Sequence, residues 1–130
     1  MILRYASALD PGGASGTPCL FGTTTGITGG PSFGQETENI SGAAGAIVNL
    51  QVTLYTVSNT MGQVLVNSSQ VFLNNTFSVT LDGGGAGSFV ARVQGDATQT
   101  GTIVRAIFTI TSVSIGQIGS PSVKQISKVF

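Results

Sequence analysis

The chain has 130 residues, of which 41% are hydrophobic and only 8% are charged, with five basic and five acidic side chains. This length is sufficient for one domain with a hydrophobic core. A net charge of zero gives no electrostatic attraction to nucleic acid or to an anionic membrane surface. It also removes the repulsion that keeps monomers apart, which favours a protein that contacts copies of itself over a neutral secreted domain kept soluble by hydroxyl groups.

The first 45 residues differ from the rest because they are rich in glycine and contain Pro11, Pro18 and Pro31. Such a segment does not hold a helix, and a long segment of this kind is uncommon inside a compact domain. We interpret residues 1–45 as an extended N-terminal arm that ends in a polar edge strand at 33–40. The alternative is a first strand and loops packed on the same subunit. The candidate subunit-interface residues are the apolar ones of this arm: Ile2, Leu3, Tyr5, Cys19, Leu20 and Phe21.

Residues 46–58 have the clearest period of two in the chain. Apolar side chains alternate with polar ones from Val48 to Leu54, which is typical of a strand with one buried face. Residues 59–62 then predict a hairpin connection. It leads to a returning strand at 63–73.

Further strands are predicted downstream, separated by turns rich in Asn and Gly: residues 76–82, 88–94, 102–115 and 122–130. The apolar phase changes after Thr111, which predicts a bulge or a strand that crosses between sheets. Because no segment has a helical period, the sequence predicts an all-β fold, a single-domain antiparallel β-sandwich or jelly roll over residues 46–130. The predicted core is Val48, Leu50, Val52, Leu54, Phe77, Val79, Leu81, Phe89, Val93, Val104, Phe108 and Ile110.

The sequence offers little catalytic or metal-binding chemistry. The absence of histidine removes histidine-based nucleophilic catalysis and the usual zinc sites, and it leaves Cys19 without a base. Glu36 and Glu38 share one face of the predicted edge strand, and we interpret them as a solvated edge. Asp82 and Asp96 are minor candidates for Ca²⁺. We therefore expect no enzymatic activity, no catalytic residue, no metal, no cofactor and no small-molecule ligand.

We expect neither a membrane span nor a cleavable signal peptide from this sequence. No run of 18 apolar residues is present, so we expect no membrane span. The first residues do not form the continuous apolar region of a cleavable signal peptide. We expect an extracellular or surface-exposed assembly, either an appendage or a virion, that is made without such a peptide.

Five runs carry a recurring order of strands and turns: Val52-Thr53-Leu54-Tyr55, Met61-Gly62-Gln63-Val64-Leu65, Phe77-Ser78-Val79-Thr80-Leu81, Gly87-Ser88-Phe89-Val90-Ala91-Arg92-Val93 and Gly101-Thr102-Ile103-Val104-Arg105-Ala106-Ile107-Phe108-Thr109-Ile110-Thr111. In strand order and turn spacing, residues 46–115 resemble the jelly-roll subunits of bacterial endospore appendage fibres. The resemblance implies a self-assembling subunit whose N-terminal connector docks in a neighbour. That family's connector carries several cysteines that link neighbours, whereas this chain has only Cys19, so docking here would be non-covalent.

Three functional hypotheses follow. The first is a structural subunit of an extracellular fibre or pilus-like appendage, a homopolymer built when the N-terminal arm adds as a strand to a neighbouring sheet. The second is a viral capsid, decoration or fibre protein with a jelly-roll fold. The third is a carbohydrate-binding module, which the lack of tryptophan disfavours because sugar binding usually requires flat aromatic platforms.

Overall fold

The computed structural model describes residues 17–23, 26–58, 62–95 and 101–130. Within these ranges the chain forms strands and no helix, as predicted from the missing helical period. The strands are β1 (Leu20–Phe21), β2 (Phe33–Ser41), β3 (Ile47–Val57), β4 (Gln63–Val66), β5 (Ser69–Val71), β6 (Thr76–Thr80), β7 (Ala86–Gln94), β8 (Ile103–Val113) and β9 (Val123–Val129).

Two antiparallel sheets pack face to face as a β-sandwich, which confirms the predicted fold class. One sheet has the order β1-β2-β7-β4-β5 and the other has the order β6-β3-β8-β9. The chain changes sheet at most of its connections, and only β1 to β2, β4 to β5 and β8 to β9 stay within one sheet. Repeated crossing between two sheets is common to Greek-key sandwiches and jelly rolls.

The predicted hairpin after residue 58 is wrong, because β3 and β4 belong to different sheets; residues 59–61 themselves lie outside the described ranges. The tight hairpin instead joins β4 to β5 through Asn67 and Ser68, which have φ values of 48° and 73°. Positive φ at both central residues is the geometry of a type I′ turn, whose twist matches that of the flanking strands. The turn was missed because it uses Asn-Ser rather than a pair that ends in glycine.

The N-terminal part of the sandwich is larger than predicted. Strand β2 pairs with β7 along its whole length, and β1 pairs with β2 at Leu20 and Phe21. Both strands fall inside residues 1–45, so the sandwich begins well before residue 46. Strand β2 lies inside its sheet, although β1 covers it over only two residues.

The core lies between the inward faces of the two sheets. All but two of the predicted core residues are buried, and Leu54 and Phe77 are half-buried. Leu54 turns away from the core because Thr53 is an extra residue in the β3–β8 pairing, where Val52 lies opposite Phe108 and Leu54 lies opposite Ile107.

The predicted break in the last long strand is a β-bulge. Asn49 lies opposite Ser112, and Leu50 lies opposite Ile110, so Thr111 is the unpaired residue. A bulge of one residue reverses which side chains face the core. The phase change after Thr111 in the sequence therefore located this irregularity correctly.

Gly85 lies in the turn between β6 and β7, at a position that leaves no room for a side chain. Its φ is +77°, and a Cβ there would lie 2.1 Å from the Gly42 carbonyl oxygen. We expect Gly85→Ala to lower the free energy of unfolding by about 2 kcal/mol or more, since strain and a backbone clash add together. Gly83→Ala is the matched control, because a Cβ at Gly83 meets no atom within 4 Å. Equal denaturation midpoints for the two variants would contradict this expectation.

Candidate functional site

A groove of about 450 Å³ runs along one open side of the sandwich, between β5 and β6. We call it the acceptor groove. Strands β5 and β6 are the terminal strands of their respective sheets. Terminal strands present main-chain N–H and C=O groups that their own sheet does not use. The residues that line the groove are Val66, Asn67, Ser69, Gln70, Val71, Asn75, Thr76, Phe77 and Ser78.

Short-range hydrogen bonds fix the loop at the end of the acceptor groove. Asn74 has a φ of 70°, which asparagine tolerates better than most residues. The Asn75 side-chain oxygen accepts the Phe72 N–H at 2.7 Å, which closes the turn. The loop is also bonded to β3, since Val52 accepts the Asn74 N–H at 2.8 Å and donates to the Asn75 carbonyl at 2.9 Å.

The chemistry of the acceptor groove suits an extended peptide. Its floor is apolar, with Val66 and Val71 buried and Phe77 half-buried. Its remaining lining residues are uncharged amides and hydroxyls. Beside it, Phe72 is 53% exposed and Leu73 is 52% exposed. A peptide docked there as a strand would turn one row of its side chains toward the apolar floor and the other toward solvent. Its main chain could form hydrogen bonds with β5 on one side and β6 on the other.

Tyr55 lies on β3 and contacts two residues next to the acceptor groove, Val64 and Phe72. Its hydroxyl accepts the Val64 N–H at 3.1 Å, and its ring lies 6.1 Å from that of Phe72, centroid to centroid. Burial raises the pKa of Tyr55, although its hydrogen bonds to Val64 and Gln70 oppose this effect. Tyr55 therefore remains a neutral phenol that ties β3 to β4.

The opposite side of the sandwich is charged, unlike the acceptor groove. Lys124 and Lys128 lie on β9, and Glu36 and Glu38 lie on β2. Charged side chains on an edge strand, particularly inward-pointing ones, are a common protection against pairing with another chain. The terminal strand β9 has this protection in its two lysines, whereas neither β5 nor β6 contains a charged residue.

The interpretation of Glu36 and Glu38 as a solvated edge is wrong for Glu38, which is 0% exposed, while Glu36 is half-buried. The alternation of β2 places Gly34, Glu36, Glu38 and Ile40 toward the other sheet. Burial, followed by the neighbouring Glu36 carboxyl, raises the pKa of Glu38 to about 8, and Lys124 opposes the rise. Glu36 is thus close enough to act on Glu38, yet neither Glu38 oxygen has a partner with hydrogen-bond geometry.

The candidate interface residues divide into two groups. Ile2, Leu3 and Tyr5 lie outside the described residues, and their role stays a prediction. Cys19 and Phe21 are buried in the core of their own subunit, and Leu20 is half-buried beside them. Since Cys19 and Phe21 already fill this core, we restrict the docking hypothesis below to residues 1–16.

The loop aspartates do not form a metal site within the described residues. Asp82 is exposed, and its Oδ1 accepts the N–H groups of Ala86 at 3.0 Å and Gly84 at 2.8 Å. These bonds lower the pKa of Asp82. Asp96 lies outside the described residues. In the part of the chain that the structure describes, no three side chains of His, Cys, Asp or Glu are grouped to hold a metal ion.

Sequence reasoning missed the acceptor groove and the burial of Glu38. A signal for the groove was present in Phe72-Leu73, an apolar pair directly before the turn at Asn74. The face of β2 was ambiguous because both of its alternating rows are largely polar. Only Ile40 indicates which row faces the core.

No protein-family model and no curated protein matches this chain. Among the described residues, no helix is long and apolar enough to cross a membrane.

Proposed function

We propose that this protein is a structural subunit that assembles with copies of itself, and that residues 1–16 of one subunit add as a strand in the acceptor groove of the next. The observation that carries the proposal is an uncharged groove with an apolar floor between two terminal strands, β5 and β6. We propose no catalytic role. The location that suits such a subunit is an extracellular appendage.

The position of the chain's N-terminal segment supports a contact between different subunits. Residues 1–16 join the sandwich at Thr17, next to β1, and β1 is the terminal strand at the side opposite β5. Three strands separate β1 from β5, which corresponds to roughly 19 Å across the sheet. A donor segment on one side and an acceptor on the other give a head-to-tail contact, which builds a filament unless rotation closes a ring.

The composition of residues 1–16 also fits this groove. Ile2, Leu3 and Tyr5 provide apolar side chains for the floor around Val71 and Phe77, and Gly12 and Gly13 separate them from the sandwich. Sixteen extended residues reach roughly 50 Å. This reach allows a neighbour to be engaged at its far side.

The first test removes the donor. We expect deletion of residues 1–16 to leave a folded sandwich that stays monomeric, since every described strand is retained. Light scattering reports the size, and circular dichroism reports the fold. Assemblies of native size from the truncated chain would contradict the proposal, as would a wild-type chain that is itself monomeric because its arm occupies its own groove.

The second test changes the acceptor. Thr76→Lys places an ammonium group among the residues that line the groove, and we expect it to abolish assembly because a docked strand would cover that charge without giving it a partner. Thr80→Lys is the matched control, since Thr80 is exposed on the same strand but does not line the groove. If both variants assemble like the wild type, the groove is not the acceptor.

A closed shell of a virion remains the second candidate function. The favouring observation is an antiparallel β-sandwich whose chain crosses repeatedly between the two sheets, a feature that it shares with the jelly rolls of capsid proteins. Negative-stain images of the purified protein separate the two functions, since the appendage subunit gives filaments and the capsid protein gives closed shells.

A further inference from the structure

The root of the N-terminal arm, residues 17–23, is a short segment whose main chain bonds to the sandwich on two sides and whose Cys19 and Phe21 side chains are buried in the core. Its strand β1 is two residues long and pairs only with the end of β2. On its other side, Cys19 donates to the Gln117 carbonyl at 2.7 Å and accepts the Gly119 N–H at 2.7 Å. The Phe21 N–H also donates to the Pro121 carbonyl at 3.4 Å. A terminal strand of two residues opens more readily than the long central strands of a sheet.

One side chain adds a contact from the opposite sheet. Lys124 extends inward from β9, and its Nζ donates to the Gly22 carbonyl at 2.6 Å. Gly22 follows directly after β1, so this bond connects the end of β1 to β9. The N–H of Gly22 donates in turn to Asn39 of β2 at 2.7 Å.

An alternative partner for Lys124 lies in the same layer between the sheets. The Glu38 carboxyl is fully buried, and its two oxygens lack a partner at hydrogen-bond geometry. Both the neighbouring Glu36 carboxyl and Lys124 are close enough to influence its pKa, in opposite directions. An ionised carboxylate binds an ammonium group more strongly than a carbonyl does. A buried carboxylate without a partner carries a large free-energy penalty, which such a bond would reduce.

The charges around Glu38 come from two strands. Glu36 lies beside it on β2, and Lys124 and Lys128 extend inward from β9. Lys128 lies further along, next to Gly34 and the ring of Phe130. The neighbouring strand β7 contributes the apolar side chains of Phe89 and Ala91 to the core on this side.

We propose that Glu38 and Lys124 form a pH-operated latch on the root of the arm, in which ionisation of Glu38 draws the Lys124 ammonium from the Gly22 carbonyl and frees β1 from β9. In the acidic form Glu38 is neutral, and Lys124 holds Gly22. In the basic form the Glu38–Lys124 ion pair forms inside the sandwich. Residues 17–23 then lose the Lys124 bond and keep their main-chain bonds and the buried contacts of Cys19 and Phe21. The latch is independent of what the arm binds.

Cys19 provides a built-in reporter for the latch, because it is the only cysteine and is 1% exposed next to β1. The test measures how fast a neutral disulfide reagent labels Cys19 in the full-length chain and in Glu38→Gln. At about pH 6 we expect equal rates for the two proteins, whereas at about pH 9 we expect labelling of the wild type to be about fivefold faster or more. The rate of the wild type is divided by that of Glu38→Gln at the same pH, because ionisation of the Cys19 thiol with rising pH accelerates labelling of both proteins alike.

Lysine variants test the other half of the latch. Lys124→Met keeps the length of the side chain and removes the ammonium group, so we expect rapid labelling of Cys19 already at about pH 6. Lys128→Met is the matched control on the same strand and should label like the wild type. A rate ratio between wild type and Glu38→Gln that does not change with pH would overturn the latch, as would equal labelling of the two lysine variants.

Hydrogen exchange distinguishes release of residues 17–23 alone from a loss of stability of the whole sandwich. It uses the wild-type chain, so the result does not depend on whether a variant folds. After correction for intrinsic exchange rates, we expect protection of residues 17–23 to fall between about pH 6 and about pH 9 by about tenfold more than protection of β3 and β8. A parallel fall in all three segments would mean that ionisation of Glu38 loosens the whole sandwich, and the latch would be refuted.

Discussion

Replacing Phe108 with alanine is expected to lower the free energy of unfolding by about 3–5 kcal/mol, because it leaves a cavity at the centre of the core. Phe108 is 0% exposed and lies on β8, the strand between β3 and β9. Its ring is 5.3 Å from that of Phe89 on the opposite sheet and 6.0 Å from that of Phe77, centroid to centroid. Both contacts are edge-to-face, a favourable geometry for aromatic pairs.

The loss is large relative to the total stability of a small domain, which is about 5–15 kcal/mol. Denaturant unfolding followed by circular dichroism measures it directly. Phe72→Ala is the matched control, since it removes the same group from a side chain that is 53% exposed. Similar unfolding midpoints for the Phe108 and Phe72 variants would show that the ring cluster does not carry the stability of the sandwich.

The position of Phe108 illustrates what the sequence predicts well. A period of two over several residues indicates both a strand and its buried face, and Val104, Phe108 and Ile110 form such a series. The reversal after Thr111 was visible for the same reason, since apolar side chains reappear there in the other phase. Both signals lie within a single strand, so they can be recognised without knowing which other strands pair with it.

What could not be predicted depends on pairing between distant parts of the chain. The bulge at Thr53 leaves no clear break in the alternation, because Leu54 and Tyr55 can each be taken as the next inward residue. The acceptor groove exists only because β5 and β6 end their respective sheets, and strand order is a property of the whole fold. Within residues 69–80 the apolar pair Phe72-Leu73 is the one local hint of an exposed groove, and no residue there specifies the strand order.

Glu38 is the other case in which local reasoning failed, and it leads to the second large expected effect. We expect Glu38→Gln to increase the free energy of unfolding at alkaline pH by up to a few kcal/mol, because glutamine has the same shape and no charge to bury. Below the ordinary glutamate pKa of 4.5, where the wild-type carboxyl is protonated in both the folded and unfolded states, the two proteins should be about equally stable.

The direction of this effect follows from proton binding. Burial and the neighbouring Glu36 raise the pKa of Glu38 from 4.5 to about 8 in the folded protein. Between these values the folded state keeps a proton that the unfolded chain has lost. The contribution of Glu38 to stability is therefore fully present below about pH 4.5 and is lost as the pH rises through about 8, by at most about 1.4 kcal/mol per pH unit.

Unfolding of wild type and Glu38→Gln in urea, from about pH 5 to about pH 9, measures the difference at each pH. Asp82→Asn is the control for loss of a carboxylate elsewhere, since it retains the oxygen that accepts the N–H groups of Gly84 and Ala86. The pKa of Asp82 is lowered by these bonds, so its contribution changes only in more acidic solution, and this variant should follow the wild-type slope throughout. A constant difference between wild type and Glu38→Gln across this range would show that Glu38 is not held protonated between the two sheets.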